Sequence, residues 1–574
     1  MSTNDKTNQQ RPEGAITSGP PKEWTVMIYL AGDNNLSEEC VWAIKELYRV
    51  GLGSDIAVVA QYDSVAPGMP VTRYDITDLA AQRGTAPTSQ PAQRVMAQTI
   101  EQDTRAEWEA SAAPRNMDRD GGLNHQAHDA DDDRAFVTAT ALIKFVADCV
   151  TKHPANHYML VLSGHGSGAV GRFFLKSDSE HRFLSVPMLA FAVCKINEEL
   201  ARVKEAKASE NETYKLSDTL DILGLDACAM STVEVGHQLK DVARYMVGAE
   251  GFERNSGWPY HRVLQALNTK PGISPDELAT EIVKLYVKYY FDYSVAGVSV
   301  DQAACDLSRM DALAAAVNKL AELLAEALEK DNQAILDAVI LAHWKAQSYL
   351  LEDYVDLWDF CDLLQKSCDK TQPQVSIACG TVKKLIEPED ESSKGSTAVL
   401  KSCVSGADFQ HSHGLSIYLP WVEVSDLYSH LGFAFEQRPV GDDCPSKHLR
   451  QHGAKGKAVR SAWFKFIQQY VDKSRRPLRR WRDKPTGDEL LFGHPLKSLP
   501  LPLRVRRTAG SDHPASLLVS VRFAGTKNDK FAGTKDDKFG VDLDPKIKNP
   551  PVTFFKDPCI DEKAILDDDG GKPK

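Results

Sequence analysis

The chain has 574 residues, of which 42% are hydrophobic, and it carries a formal net charge of -12 with a pI near 5.8. This length allows about two to four domains, and the composition is typical of a globular protein with a large core. The acidic balance argues against a general nucleic-acid binder, and no uninterrupted run of about 18 apolar residues predicts a membrane span. We therefore expect neither a nucleic acid nor a membrane as partner, and the oligomeric state stays open.

The eleven cysteines are scattered without CxxC pairs, a pattern that speaks against a zinc ribbon and against a dense disulfide framework. Residues 1–21 form a polar tail without the apolar centre of a signal peptide. Together these features favour reduced thiols and predict a cytoplasmic location.

The amino-terminal part predicts a strand at 24–32, a helix after it, and a second strand at 56–63, which form a right-handed βαβ unit. Residues 65–134 are rich in Gln, Ala, Thr, Pro and charges and predict a solvated insertion. Its end carries a cluster of acids that could bind calcium: Asp118, Asp120, Asp129, Asp131, Asp132 and Asp133. The cluster lacks the ligand spacing of an EF-hand, so no metal ligand is assigned, no cofactor is expected to be required, and calcium stays open.

Two short apolar runs, at 158–171 and 220–230, each end abruptly in a reactive side chain, His165 in the first and Cys228 in the second. Both are too short and too uniformly apolar for amphipathic helices, so they predict strands buried on both faces of a parallel sheet. Ligands of such sheets bind outside the carboxyl ends of the strands. We therefore expect His165 and Cys228 to share one crevice.

Strand and helix patterns alternate up to about residue 300, which predicts an α/β domain. The chain is predicted to divide into five parts. They are a tail (1–21), an α/β core that contains the insertion (22–300), a helical region with a strand at 414–420 that returns to the main sheet (301–425), a helical and basic linker (426–484), and a C-terminal extension with a small β-like module and flexible tail (485–574).

A cysteine attacks a carbonyl only as the thiolate, which needs an imidazole or a helix N-terminus nearby to lower its pKa. Cys228 is expected to have both an imidazole and a helix N-terminus nearby, because His165 ends the neighbouring strand and a helix is predicted just after Cys228. The alternative is an inert core thiol, since free cysteine is among the most buried residue types. Glycines 164, 166 and 168 flank His165 and leave room for a substrate backbone and for N–H groups aimed at an oxyanion.

Asp226 precedes Cys228 by two residues, so both side chains lie on one face of the strand. A buried carboxylate needs a cation as partner. A substrate Lys or Arg would supply it, and an Arg of the protein itself is the structural alternative.

Five stretches resemble clostripain-like cysteine peptidases of the caspase-like clan, in order and in approximate spacing: WTVMIYLAGDNNL, YMLVLSGHGSG, ILGLDACAMSTVEV, VGAEGFERNSGWPY and GLSIYLP. The resemblance covers about 22–300 and the strand near 414. It implies a caspase-like, mainly parallel sheet flanked by helices and an endopeptidase that cuts protein or peptide substrates after Arg or Lys.

By the same resemblance, His165 and Cys228 form a catalytic dyad and Asp226 lies at the floor of the basic-residue pocket. The N–H groups of Gly166 and Cys228 would stabilise the oxyanion. Self-cleavage after a basic residue between the His and Cys strands would fall at Lys176 or Arg182. The family commonly has an aromatic residue after HGSG, where this chain has Ala169.

Two other classes of protein remain. The loop from Gly166 to Gly171 fits GxGxxG after a strand, as in a dinucleotide-binding oxidoreductase, but that fingerprint needs a helix opening on the glycines, and RFFLKSDSE offers little helical periodicity. A non-catalytic caspase-like scaffold that binds basic peptides is the other alternative.

Overall fold

The computed structural model describes residues 16–66, 71–77, 98–99, 130–171, 174–178, 183–293, 299–349, 353–369, 371–387, 395–437, 459–483, 506–507 and 517–518.

The described strands, in chain order, are β1 (Lys22–Gly32), β2 (Ile56–Ser64), β3 (Thr72–Asp75), β4 (Gln98–Thr99), β5 (Ala155–Ser163), β6 (Leu220–Asp226), β7 (Ala243–Gly248), β8 (Val300–Asp306), β9 (Ser348–Tyr349), β10 (Tyr354–Asp356), β11 (Val399–Ser405), β12 (Ser416–Tyr418), β13 (Phe435–Gln437), β14 (Val459–Arg460), β15 (Arg506–Arg507) and β16 (Leu517–Leu518). The described α-helices are α1 (Ser37–Tyr48), α2 (Ala130–Lys152), α3 (Val186–Glu210), α4 (Val233–Leu239), α5 (Tyr260–Thr269), α6 (Pro275–Tyr293), α7 (Met310–Glu329), α8 (Gln333–Lys345), α9 (Leu357–Cys368), α10 (Pro373–Ile386) and α11 (Ala462–Asp483).

The main sheet, as far as the chain is described, has nine strands in the order β11-β8-β7-β6-β5-β1-β2-β3-β4. Its five central strands, β2, β1, β5, β6 and β7, are parallel, and antiparallel strands extend both edges. Helices connect successive parallel strands, since a parallel connection must cross over the sheet. The predicted fold class, a mainly parallel sheet flanked by helices, is confirmed.

The central strands are covered on both faces. In β1, Met27 and Tyr29 pack into one hydrophobic cluster, whereas Val26 and Ile28 pack into a second cluster on the opposite face. Two covered faces explain why these strands are apolar throughout instead of alternating. Polar groups that a ligand could use are therefore concentrated at the sheet edge where the parallel strands end.

The expectation of a wholly solvated insertion at 65–134 is wrong for β3, whose four residues are buried in the sheet beside β2. Asp75 accepts hydrogen bonds from Lys152 and His153, each at 2.7 Å. A strand whose buried polar groups are paired within the protein has no apolar signature, so hydropathy did not reveal it.

The strand expected at 414–420 exists as β12, but its predicted return to the main sheet is wrong. It pairs with β10 in a separate three-stranded sheet, where Ile417 lies opposite Val355. A single bridge between Thr232 and Ser416 connects it to the loop after β6. The antiparallel edge position of the main sheet is taken by β11, which the sequence did not predict.

The region predicted as a helical and basic linker contains α11, in which Trp463, Phe466 and Tyr470 are fully buried. The backbone N–H of Trp463 donates to Asn318 of α7 at 3.0 Å. The basic run predicted as a linker continues this helix to Asp483. Of the predicted β module, the described residues are the short pair β15–β16. None of the helices in the described ranges has the length and apolarity that crossing a membrane requires.

Candidate active site

The two strands that end in the reactive residues are neighbours. β5 and β6 pair in parallel, with Ser163 opposite Asp226, and the N–H of Gly164 donates to the Asp226 carbonyl at 3.2 Å. His165 and Cys228 each follow two residues after this last pair, so they leave the sheet at the same edge. Neighbouring strands thus bring both residues to the same edge of the sheet, while the shared crevice and their catalytic roles stay predictions.

Backbone contact between the two loops is close. A Cβ added to Gly166 would lie 2.2 Å from the Cys228 carbonyl oxygen and 2.6 Å from the Cys228 nitrogen. Gly168 has φ +71°, and a Cβ there would lie 2.5 Å from the Tyr354 ring. Gly166 and Cys228, whose N–H groups are expected to donate to the oxyanion, therefore lie against each other where the two loops meet.

Cys228 is 2% exposed and lies in a tight turn. The next residue, Ala229, has φ +57°, a left-handed conformation that is strained for a residue with a Cβ. A hydrogen bond of 2.7 Å from the Ala229 N–H to the Gly251 carbonyl holds this turn. The Cys228 sulfur lies 3.8 Å from the Glu253 carbonyl oxygen. The nucleophile candidate is thus fixed by the loop that follows β7.

The helix expected just after Cys228 is α4, and it does not start at the cysteine itself. α4 starts at Val233, and the hydroxyl of Thr232 caps it by accepting from the Val235 N–H at 3.1 Å. Since the helix dipole acts within about the first turn, α4 contributes little to lowering a thiol pKa at Cys228. The imidazole of His165 becomes the main candidate for that role.

Cys228 can attack a carbonyl only as the thiolate, so an oxidised Cys228 must be reduced before it can react. A thiol reductant therefore belongs in any assay of the site.

His165 is 5% exposed and is held by two segments of the chain. Its Nε2 lies 2.6 Å from Oδ1 of Asn35, in the turn between β1 and α1. Its carbonyl oxygen accepts from the Leu175 N–H at 3.0 Å. The sequence did not predict this contact, because partners so far apart along the chain carry no local signal.

A pocket opens beside Cys228 and encloses about 430 Å³ of space that includes open solvent. Residues from four parts of the chain line it: Leu36, Glu39, Cys40, Ala43, Ser163, Gly164, Asp226, Cys228, Glu253, Arg254, Asn255, Ser256 and Gly257. Three of these side chains are carboxylic acids and one is a guanidinium, so acids predominate in the pocket.

Asp226 is the acid of the pocket that the sequence analysis identified. It is 4% exposed, and Tyr260 donates to its Oδ2 at 2.6 Å. Burial raises its pKa, although hydrogen bonds from Tyr260, Ser163 and the Trp258 N–H act in the opposite direction. None of the ion pairs recorded for the described residues includes Asp226. The structural alternative, an Arg of the protein paired with Asp226, is therefore not observed in those ranges.

Two further acids of the pocket were missed by the sequence reasoning. Glu253 is 4% exposed, and burial, followed by the charge of Asp226, raises its pKa well above the usual range. One carboxylate oxygen of Glu39 is buried and accepts no hydrogen bond from the described residues. Glu253 lies inside the quoted stretch VGAEGFERNSGWPY, but only the fold brings it to Asp226. Carboxylates that raise each other's pKa favour a cation as ligand.

Of the two candidate self-cleavage residues, Lys176 lies within the described part of the chain. Lys176 is ordered: its carbonyl accepts from Asn34 Nδ2 at 2.7 Å, and its Nζ pairs with Asp178 at 2.8 Å. Arg182 lies outside the described residues.

The described side chains contain no group of three or more His, Cys, Asp or Glu residues that could hold a metal ion. The acidic cluster proposed for calcium lies outside this set: Asp118, Asp120 and Asp129 are not described, and Asp131–Asp133 are described only as backbone of α2.

The model of the clostripain family, peptidase family C11, matches residues 28–429. The chain therefore belongs to the clostripain family, a family of cysteine peptidases, and the resemblance inferred from the sequence is confirmed.

Among individual relatives, clostripain of Hathewaya histolytica is 23% identical over 289 residues, which are 43% of this chain and 51% of clostripain. The chain thus spans about half the length of the curated relative it matches. Two solved structures are also similar. A secreted C11 cysteine protease from Bacteroides thetaiotaomicron in complex with an irreversible peptide inhibitor has a TM-score of 0.44 at 18% identity, covering 71% of this chain and 96% of its own. An inactive zymogen C11 protease from Parabacteroides distasonis has a TM-score of 0.45 at 19% identity, covering 73% and 98%.

The predicted cytoplasmic location is wrong by these comparisons, because the similar protease from Bacteroides thetaiotaomicron is a secreted protein. The prediction rested in part on scattered cysteines. Such cysteines are buried core residues here, for example Cys149, Cys305 and Cys361, and a buried thiol is inert in any compartment.

Proposed function

We propose that this protein is a cysteine endopeptidase that cleaves peptide bonds after Arg or Lys. The observation that carries the proposal is the pairing of β5 with β6: His165 and Cys228 follow the ends of these strands at the same edge of the sheet, and an acidic pocket lies beside Cys228. Family membership supports the reaction class, and the acids of the pocket support the preference for basic residues.

The proposed reaction is acyl transfer to water. The thiolate of reduced Cys228 attacks the peptide carbonyl, and the oxyanion accepts hydrogen bonds from the N–H groups of Gly166 and Cys228. His165, as imidazolium, protonates the leaving amine, and the C–N bond breaks. The neutral imidazole then takes a proton from water, which attacks the thioester and releases the acid product and the thiolate.

The substrate's basic side chain would enter the pocket beside Asp226. Its positive charge would offset the mutual repulsion of Asp226 and Glu253 and favour their ionised forms. A substrate with a neutral side chain of similar length leaves those buried acids without a counter-charge, so it binds less well in the transition state.

Self-cleavage after Lys176 or Arg182 is a second part of the proposal. A cut after Lys176 requires the segment 174–178 to release its hydrogen bonds to Asn34 and to His165. We expect the cut, if it falls at Lys176, to follow local opening of that segment.

The two alternatives receive less support. The glycine loop does not open a helix in the part of the chain that is described, where the next helix begins at Val186. Gly166 also packs on the Cys228 backbone, which leaves no room between them for a pyrophosphate. A non-catalytic scaffold would keep the acidic pocket but has no use for His165 beside Cys228.

The test is hydrolysis of three fluorogenic peptides that differ only in Arg, Lys or Gln before the scissile bond. The assays contain a thiol reductant and are run with and without calcium. We expect cleavage of the Arg and Lys peptides and little of the Gln peptide. Equal rates on all three would contradict the proposed specificity, and no cleavage of any peptide by reduced protein would support the scaffold. A gel of the same sample shows whether the chain cuts itself, with Lys176→Ala and Arg182→Ala locating the cut.

A further inference from the structure

We propose that Asn35 is a positioning residue for His165, so that the catalytic unit has three members, Cys228, His165 and Asn35. This inference rests on the proposed function and extends it. The contact that supports it is the 2.6 Å distance between Asn35 Oδ1 and His165 Nε2.

The side chain of Asn35 serves no evident structural purpose at its own position. α1 has Leu36 at its N-cap position and no side-chain capping hydrogen bond. Asn35 is itself exposed, so its amide could be hydrated at little penalty. It instead reaches the ring of a histidine that is 5% exposed.

The backbone around Asn35 is held firmly enough to position a ring. The neighbouring Asn34 is 1% exposed, its Nδ2 donates to the carbonyls of Ala31 and Lys176 at 2.9 and 2.7 Å, and its Oδ1 accepts from the Leu36 N–H at 2.8 Å. These bonds join the turn after β1 to the segment 174–178. Asn35 is thus fixed on a turn that is anchored on both sides.

The same segment also holds the backbone of His165. The Leu175 N–H donates to the His165 carbonyl at 3.0 Å, and the Asp178 N–H donates to the Asp33 carbonyl at 2.7 Å. The turn at Asp33–Asn35 and the segment 174–178 therefore form one frame around His165. Within this frame Asn35 contacts the ring and Leu175 contacts the backbone.

An amide oxygen only accepts hydrogen bonds, so Asn35 Oδ1 selects the form of His165 in which Nε2 carries a proton. In the neutral ring, Nδ1 then has the lone pair and performs the proton transfers of the reaction. The oxygen also stabilises the imidazolium, because a hydrogen bond to a charged donor is stronger than one to a neutral donor. Asn35 would thus act through His165 without touching the substrate.

The first experiment compares the wild type, Asn35→Ala and Asn35→Asp on the Arg peptide under reducing conditions, with kcat and KM measured across the pH range of histidine titration. For Asn35→Ala we expect kcat to fall about 10- to 100-fold, the effect of losing one hydrogen bond to a charged group, with KM within about twofold of wild type. A carboxylate raises the pKa of a neighbouring imidazolium, so Asn35→Asp should recover part of kcat and move the alkaline limb of its pH profile to higher pH.

Glu38→Ala is the matched control, because Glu38 is an exposed residue three positions further along the same segment. It should leave kcat, KM and the pH profile unchanged. A kcat of Asn35→Ala within about twofold of wild type, or an Asn35→Asp profile that superimposes on that of the wild type, would overturn the proposal. Unchanged melting temperatures separate loss of positioning from loss of folding.

A second measurement does not depend on activity. Protein with ¹⁵N-labelled histidine, with the His165 signals assigned by loss in His165→Ala, reports which ring nitrogen carries the proton. We expect a single Nε2–H tautomer in the wild type and a mixture in Asn35→Ala. An Nδ1–H tautomer in the wild type would refute the role of Asn35. If the wild type cleaves no basic peptide, the proposed function fails, and the tautomer still decides whether Asn35 orients the ring.

Discussion

Two groups of buried acids lie at the same edge of the main sheet, and they are built differently. The pocket acids, Asp226 and Glu253, border an open cavity beside Cys228. The sealed acids, Glu250, Asp301 and Asp356, are at most 2% exposed and lie around the ends of β7, β8 and β10.

Backbone N–H groups donate to the sealed acids. Asp301 accepts from the N–H groups of Glu250 at 2.7 Å and Gly251 at 3.1 Å, and Glu250 accepts from the Gly414 N–H at 2.7 Å. Asp226 accepts from one backbone N–H, that of Trp258, and in addition from the side-chain hydroxyls of Tyr260 and Ser163. Donors fixed in the backbone make an acid part of the scaffold. Side-chain donors beside a cavity leave an acid able to take a ligand.

The largest expected effect in the pocket region is that of Cys228→Ala. Without its nucleophile the chain should lose at least about 10,000-fold in kcat, while its melting temperature stays close to that of the wild type. Rates on the Arg peptide and a thermal melt check this. Cys403→Ala, which changes a half-buried cysteine of β11 that does not line the pocket, is the control and should keep its activity. Turnover by Cys228→Ala would rule out the assignment of the nucleophile.

In the sealed region, Asp301→Ala should lower the free energy of unfolding by about 3 kcal/mol, because two buried backbone N–H groups lose their acceptor. The same substitution at Asp226 should lower it by about 1 kcal/mol, since only one backbone N–H, that of Trp258, loses its acceptor there. Urea denaturation of both variants measures the difference. Equal losses of stability would remove the distinction between the two groups.

Asp226→Ala should instead affect specificity. The loss of a buried partner for the substrate cation should reduce kcat/KM on the Arg peptide about 100-fold, or about 2.7 kcal/mol, with little change on the Gln peptide. Asp276→Ala, at an acid in the first turn of α6, is a control that should change neither rate. An unaltered preference for Arg over Gln in Asp226→Ala would take Asp226 out of the pocket's function.

The smallest expected effect is on the pH dependence of KM. Burial raises the pKa of Asp226 in the free protein, and a bound cation favours the ionised carboxylate, so binding of the Arg peptide releases a proton when the carboxyl starts protonated. The Arg peptide therefore binds most tightly above the raised pKa of Asp226, and its affinity falls as the pH drops below that pKa. KM for the Arg peptide should rise on acidification, and Asp226→Asn should flatten that rise. A wild-type KM that does not change with pH would indicate that Asp226 is already ionised before binding.

The sequence predicted the parts of the molecule that have a local pattern. The apolar runs before His165 and Cys228 identified two strands covered on both faces, and their endings indicated the edge of the sheet where the site lies. Contacts that depend on the whole fold gave no such pattern. Asn35 reaches His165 across 130 positions, and β3 is buried only because partners on α2 neutralise its polar residues.

The strand near residue 414, which was predicted to join the main sheet, shows the same limit of local sequence patterns. An apolar run such as GLSIYLP predicts a strand but not its neighbour, because neighbouring strands are chosen by the turns and helices between them. In the structure β11 lies at the edge of the main sheet beside β8, and β12 lies beside β10 in a second sheet.

The contact between Gly166 and Cys228 also limits how this site can be redesigned. Even a methyl group at position 166 would overlap the Cys228 main chain, so a library that aims to change cleavage preference gains nothing by varying that position. Diversity is better directed to Glu39, Asn255 and Ser256 at the pocket wall, where a new side chain could alter which residue is accepted without separating the two loops.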